Sequence, residues 1–144
     1  MKLFFSLILI TCLSASVFAQ ERISWSSKYD KSIQKAILTA NLANGWHIYS
    51  QSTDEAVGPI STQFELEKNE LLIVKSPMLE PTPINAYDPI FEGNVKYFEK
   101  QVIFEQKISA RETTEAKYTI TYMICNEEMC LPPVDEIINL TITK

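Results

Sequence analysis

The stretch Tyr118-Thr-Ile-Thr-Tyr-Met-Ile-Cys125-Asn-Glu-Glu-Met-Cys130-Leu-Pro-Pro133 decides how this chain folds. Tyr118, Ile120, Tyr122 and Ile124 alternate with Thr119, Thr121 and Met123. A period of two with β-branched and aromatic residues is the mark of a half-buried strand. The run enters Cys125, four residues follow, and Cys130 leads into two prolines. Asn126 to Met129 can serve as the loop of a hairpin. Facing residues of an antiparallel pair have Cα atoms about 4.5 to 5.5 Å apart, and a disulfide accepts about 4.4 to 6.8 Å. The cysteines can therefore close a bridge without moving the strands.

The same period recurs on both sides of this stretch. Ile23 and Trp25 alternate with polar residues, as do Thr62, Phe64 and Leu66. Val102, Phe104, Gln106 and Ile108 form another set, and Ile138, Leu140 and Ile142 a further one. Ile33, Ala36, Ile37 and Ala40 fit a helix, whereas Ala36, Leu38, Ala40 and Leu42 fit a strand. The strand is the better reading, because Asn44-Gly45 follows with a hairpin turn signal. Lys75 to Gly93 holds Pro77, Pro81, Pro83 and Pro89, which predicts a long loop or an irregular edge. Several short strands separated by turns predict an all-β antiparallel sandwich.

The N-terminus predicts export. Lys2 precedes an apolar run from Leu3 to Leu13, and Val17 and Ala19 fit cleavage after Ala19. The expected organisation is a secretory signal peptide at 1–19 and one domain at 20–144. The apolar run is shorter than the roughly 20 residues a membrane helix needs, so no membrane insertion of the mature chain is expected. A lipid anchor at Cys12 is the lesser alternative, since Thr11 is not the small residue that such a site wants. Removing the first 19 of 144 residues leaves 125, with 12 basic side chains against 18 acidic ones. An acidic balance argues against nucleic acid and against an anionic membrane surface.

Cleavage also removes Cys12 and leaves Cys125 and Cys130 alone. An even number in an exported chain predicts a disulfide. It could be a staple, but closing about six residues yields only about 2 kcal/mol in the chain-entropy model. A short bridge near a hairpin end is also open to attack by a partner's thiolate. Two cysteines and the one histidine, His47, fall short of a usual zinc set, so no metal and no cofactor are expected. No serine nucleophile motif is present. Glu127 and Glu128 lie between the cysteines and disfavour a thiolate, which predicts slow exchange with small thiols.

Gly45-Trp-His-Ile-Tyr-Ser-Gln51, Asp88-Pro-Ile-Phe-Glu-Gly93 and Cys125-Asn-Glu-Glu-Met-Cys130-Leu-Pro-Pro133 together resemble the N-terminal periplasmic domain of the thiol:disulfide interchange protein DsbD. The resemblance covers nearly all of the mature chain, and the cysteine segment is its most specific part. It implies an immunoglobulin-like β-sandwich in the periplasm that passes reducing equivalents to thioredoxin-fold redox proteins. Cys130 would form the mixed disulfide and Cys125 would resolve it. The loop of Asp88, Ile90, Phe91 and Gly93 would match a cap whose aromatic ring, here Phe91, shields the bridge. His47 and Tyr49 would match two aromatic positions beside the cysteines, with His47 in place of a tyrosine.

The cysteine spacing is one residue shorter than in the best-studied member. With no channel or thioredoxin-like domain before Lys144, the expected donor is a separate membrane electron channel or thioredoxin-like protein. The expected activity is that of a thiol–disulfide oxidoreductase or electron carrier rather than of a multiple-turnover enzyme. Two other classes stay open on the residues alone. One is an immunoglobulin-like binding or adaptor module with a structural disulfide. The other is an accessory domain that binds a membrane redox protein without cycling its cysteines.

Overall fold

A computed structural model describes residues 21–144. The expected signal peptide, its cleavage site and Cys12 lie outside the described residues. Every strand pair is antiparallel, and among the described residues there is no helix. The strands are β1 (Ile23–Asp30), β2 (Lys35–Leu42), β3 (His47–Tyr49), β4 (Gln63–Leu66), β5 (Leu72–Val74) and β6 (Ile84–Asp88). β7 (Gly93–Glu99), β8 (Gln101–Ala110), β9 (Thr114–Tyr122), β10 (Ile124–Cys125) and β11 (Val134–Ile142) follow. They form three sheets, ordered β1-β2-β8-β5, β10-β3-β7-β6 and β11-β9-β4. The all-β antiparallel sandwich read from the alternation is the architecture observed.

One core joins all three sheets. Leu38, Val102 and Phe104 come from the first, Ile48 and Phe98 from the second, and Tyr118, Ile120 and Leu140 from the third. Trp25 packs beside them with its ring near Phe64, Phe104 and Tyr122. The strand reading of residues 36–42 holds. Ile33 is exposed in the β1–β2 turn, where Asp30 Oδ1 accepts from the Ser32 N–H at 3.0 Å and its hydroxyl at 2.6 Å.

Two expectations need correction. Asn44-Gly45 does make a turn, with the Trp46 N–H donating to the Ala43 carbonyl at 3.1 Å. It is not a hairpin, because β2 and β3 belong to different sheets. The proline-rich segment takes the edge reading, since β6 lies within it as the edge strand of the second sheet. Pro83 precedes β6 and Pro89 follows it, so no proline removes a ladder donor within it. Finally, the run through Tyr118 to Cys125 is two strands. The chain leaves the third sheet at Met123 and joins the second at Ile124. Tyr118, Ile120, Tyr122 and Ile124 all still enter the core, so the alternation survives the crossing.

Candidate functional site

β3 is three residues long, and its alternation divides the second sheet into two faces. Ile48 points into the main core with Phe98 and Ile124. His47 and Tyr49 point the other way, onto the outer face. There Tyr49, Val95 and Cys125 are buried together, with Val57, Phe91, Tyr97, Met123 and Cys130 packed around them. The outer face therefore carries a small core of its own. Cross-strand register lines up a row along it: Cys130 opposite Cys125, Cys125 opposite His47, and His47 opposite Glu99.

Cys125 and Cys130 are joined by a disulfide with Cα atoms 4.1 Å apart. That is slightly closer than the expected range. The Asn126 N–H donates to the Met129 carbonyl and the Leu131 N–H to the Ile124 carbonyl, each at 2.9 Å. These bonds lie on either side of the cysteine pair, which makes it a non-hydrogen-bonded pair, the closer kind. Asn126 Oδ1 accepts from the Glu128 and Met129 N–H groups at 2.9 and 2.8 Å and shapes the four-residue loop. Cys125 is 0% exposed, whereas Cys130 is partly exposed.

Asp88 organises the loop that follows β6. Asp88 is buried, 7% exposed. Oδ1 accepts from the Ile90 N–H at 2.8 Å and from the Phe91 N–H at 3.3 Å. Oδ2 accepts from the Tyr49 hydroxyl at 3.0 Å. One carboxylate thus shapes the loop and ties it to β3. The Phe91 ring stands edge-on to Tyr49 with centroids 6.0 Å apart.

His47 Nε2 lies 3.1 Å from the Tyr49 hydroxyl. The phenol gives its single proton to Asp88, so Nε2 carries the hydrogen and donates. Burial lowers the His47 pKa, opposed by the charges of Asp88 and Glu99. Burial also raises the Tyr49 pKa, with the charge and hydrogen bond of Asp88 adding to it. The resting pair is a neutral imidazole and a neutral phenol.

A cleft of about 440 Å³ opens beside the row, lined among others by His47, Asp88, Ile90, Tyr97, Glu99 and Glu127. Lysine and arginine are missing from its lining among the described residues. A larger cleft of about 590 Å³, lined by Gln51, Thr53, Asp54, Ser61 and Gln63, does not include the cysteines. Among the described residues no group of three or more His, Cys, Asp or Glu side chains converges.

The structure thus brings together Cys125, Cys130, His47, Tyr49, Asp88, Phe91 and Ile90. Gly93 begins β7 at the far end of the cap loop. Sequence reasoning missed Val57, Gly58, Val95, Tyr97 and Met123. The Gly58-Pro59 dipeptide is a turn signal, but nothing local says that the turn reaches this face.

The family described as "Thiol:disulfide interchange protein DsbD, N-terminal" matches residues 15–142. The DsbD N-terminal domain of Neisseria meningitidis in the reduced form is similar in structure, with a TM-score of 0.63 at 15% identity over 85% of this chain and 87% of that one. The structure of the complex between the DsbD N-terminal and PilB N-terminal domains of the same species gives 0.57 at 15% identity, covering 80% of each chain. The N-terminal periplasmic domain of ScsB from Proteus mirabilis gives 0.56 at 20% identity, covering 82% of this chain and 44% of that one. No curated protein matches the sequence. The shared fold is the immunoglobulin-like sandwich. A closed cysteine pair in this family supports thiol–disulfide exchange in general. With the match spanning all but the last two of the described residues, the chain belongs to the family of the N-terminal domain of the thiol:disulfide interchange protein DsbD.

Proposed function

We propose that this domain carries reducing equivalents through Cys125 and Cys130 to thioredoxin-fold partners. The observation that carries the reading is the lodging of the bridge. It closes a tight hairpin at the edge of a sheet, with Cys125 buried and Cys130 partly exposed. In the reduced domain, the Cys130 thiolate attacks a partner disulfide. A Cys130–partner disulfide forms and one partner sulfur leaves as thiolate. Cys125 then loses its proton and attacks the Cys130 sulfur. The 125–130 bridge closes, the second partner sulfur leaves, and the solvent supplies protons to the partner's thiols. The partner gains two electrons and the domain loses two. A thiol donor restores the dithiol by the reverse sequence.

Asp88, Ile90, Phe91 and Gly93 serve this exchange as a cap over the bridge, and His47 and Tyr49 hold the cap through Asp88. The acidic surroundings of Cys130 favour a docked partner over a free small thiol. The domain works in the periplasm after removal of residues 1–19. The periplasmic ScsB domain and the DsbD–PilB complex support location and partner exchange by analogy.

The test is the reduction potential of the Cys125–Cys130 couple, equilibrated against a glutathione or dithiothreitol redox buffer. Structural disulfides of exported proteins lie below about −300 mV. The reading expects a value above that, at which a thioredoxin-fold protein can be served. A potential well below it would favour a binding module with a structural bridge.

A further inference from the structure

Phe91, which packs in one cluster with Cys125 and Cys130, is not held there by its own loop alone. Its ring lies on a second loop, residues 54–59, at Gly58. A Cβ added to Gly58 would stand 2.5 Å from Phe91 Cδ1 and 3.1 Å from Cε1. The contact is reciprocal. A Cβ added to Gly93, at the far end of the cap loop, would stand 2.5 Å from Val57 Cγ1 and 3.3 Å from Cγ2. Each loop seats one side chain on the other's glycine, and a Cβ at either point would push that side chain off its seat.

The two loops are anchored differently. The 54–59 turn is tight, with the Val57 N–H donating to the Asp54 carbonyl and the Gly58 N–H to the Glu55 carbonyl, each at 3.1 Å. Thr53 Oγ1, just before it, accepts from the Lys96 N–H of β7 at 3.1 Å. Glu55 Oε1 accepts from the Ser61 N–H at 3.2 Å, from the Ser61 hydroxyl at 2.6 Å and from Gln63 Nε2 at 3.2 Å. Pro59 is fully buried. After it, the Thr62 N–H and hydroxyl both donate to the Tyr49 carbonyl, at 3.1 and 2.6 Å. This turn is thereby fastened to β3 and β7, the strands that carry the site. The cap loop is fastened at its root by Asp88, while its tip, Phe91, rests on Gly58.

We propose that the 54–59 turn is a clasp that sets how often the Phe91 cap lifts off the Cys125–Cys130 bridge, with Val57 and Gly58 as its positioning residues. The proposal rests on the reading of the bridge as an exchanging one. Lifting the cap unseats Phe91 from Gly58, while Gly93, paired with Asp88 at the start of β7, stays against Val57 and holds the turn in place beneath the ring.

The experiment follows reduction of the oxidised domain by excess dithiothreitol under native conditions, with alkylation and mass measurement of the thiols formed. Dithiothreitol supplies two electrons and closes into its cyclic disulfide as Cys125 and Cys130 become thiols. A rate that requires the open cap scales with the open fraction, so Val57→Ala is expected to speed reduction about fivefold. In a Phe91→Ala background the same change is expected to do nothing, because the shielding ring is already gone. Gly58→Ala should behave like Val57→Ala. Should its backbone angle of φ 133° prevent folding, the Val57 pair carries the test alone. Equal rates for parent and Val57→Ala overturn the clasp, as does the same acceleration with and without the Phe91 ring, which is what general loosening would give. No partner protein takes part. A failure of partner exchange therefore leaves this comparison intact, and success there does not rescue it.

Discussion

Opening the Cys125–Cys130 bridge by reduction, with no residue changed, is the perturbation whose size the structure fixes best. The bridge closes a loop of sequence separation 5. The chain-entropy relation gives about 2 kcal/mol for a loop of that length. This is an upper figure, because the loop also closes through the Asn126–Met129 and Leu131–Ile124 bonds and the Asn126 side chain. Residual hairpin in the unfolded chain reduces the entropy that the bridge removes. In the folded state the sulfurs must separate on reduction, and Cys130, being partly exposed, has room to swing outward.

With a urea slope of about 2 kcal/mol per M, the midpoint should fall by about 1 M or less on reduction. By linkage, the fold then lowers the couple's potential by only about 40 mV relative to the same cysteines in an unfolded chain. The assay is urea unfolding of oxidised and reduced domain, followed by tryptophan fluorescence of Trp25 and Trp46. Unfolding on reduction without denaturant would refute the reasoning and return the bridge to the role of a staple.

Two further outcomes follow from the same face. Burial lowers the His47 pKa below its ordinary 6.5, so the unfolded chain takes up this proton first. The stability it contributes is complete above about pH 6.5 and is lost as pH falls through the folded value. His47→Gln should flatten the urea midpoint between roughly pH 7 and pH 5 relative to the parent, and parallel curves would contradict the assignment. Tyr49→Phe removes a hydroxyl bonded to both Asp88 and His47 and leaves the buried Asp88 Oδ2 without that donor. A cost of about 1 to 3 kcal/mol is expected in the same assay, and a change below about 0.5 kcal/mol would show that the bonds contribute little.

The strands were legible wherever one face of a sheet meets the core and the other meets water, as in residues 102–108 and 138–142. Residues 36–42 were ambiguous for a physical reason. β2 is central in its sheet, and Ala36, Ile37 and Leu38 are all buried, so both faces are apolar and the period of two is blurred. The crossings at Asn44-Gly45 and Met123 were not legible, because a strand that changes sheets keeps its alternation while its hydrogen-bond partners change. The cysteine hairpin could be read from spacing and flanking residues, and the cap loop from resemblance. Val57 and Gly58 could not, since their role exists only where the 88–93 loop, far along the chain, folds back onto them. Tyr97 and Val95 were hidden in the same way, because β7 shows which of its faces borders the bridge only once the second sheet is assembled.

The central claim is that Cys130 exchanges with a partner and Cys125 resolves the adduct. It is tested most directly by trapping. Cys125→Ala and Cys130→Ala domains are each incubated with an oxidised thioredoxin-fold protein and separated by non-reducing electrophoresis, and mass spectrometry places the linkage. Cys125→Ala should accumulate a mixed disulfide through Cys130, because nothing displaces the partner. Cys130→Ala should trap far less, because the Cys125 sulfur is buried. Adducts formed mainly through Cys125, or none from either variant while the partner reacts with other thiols, would contradict the account.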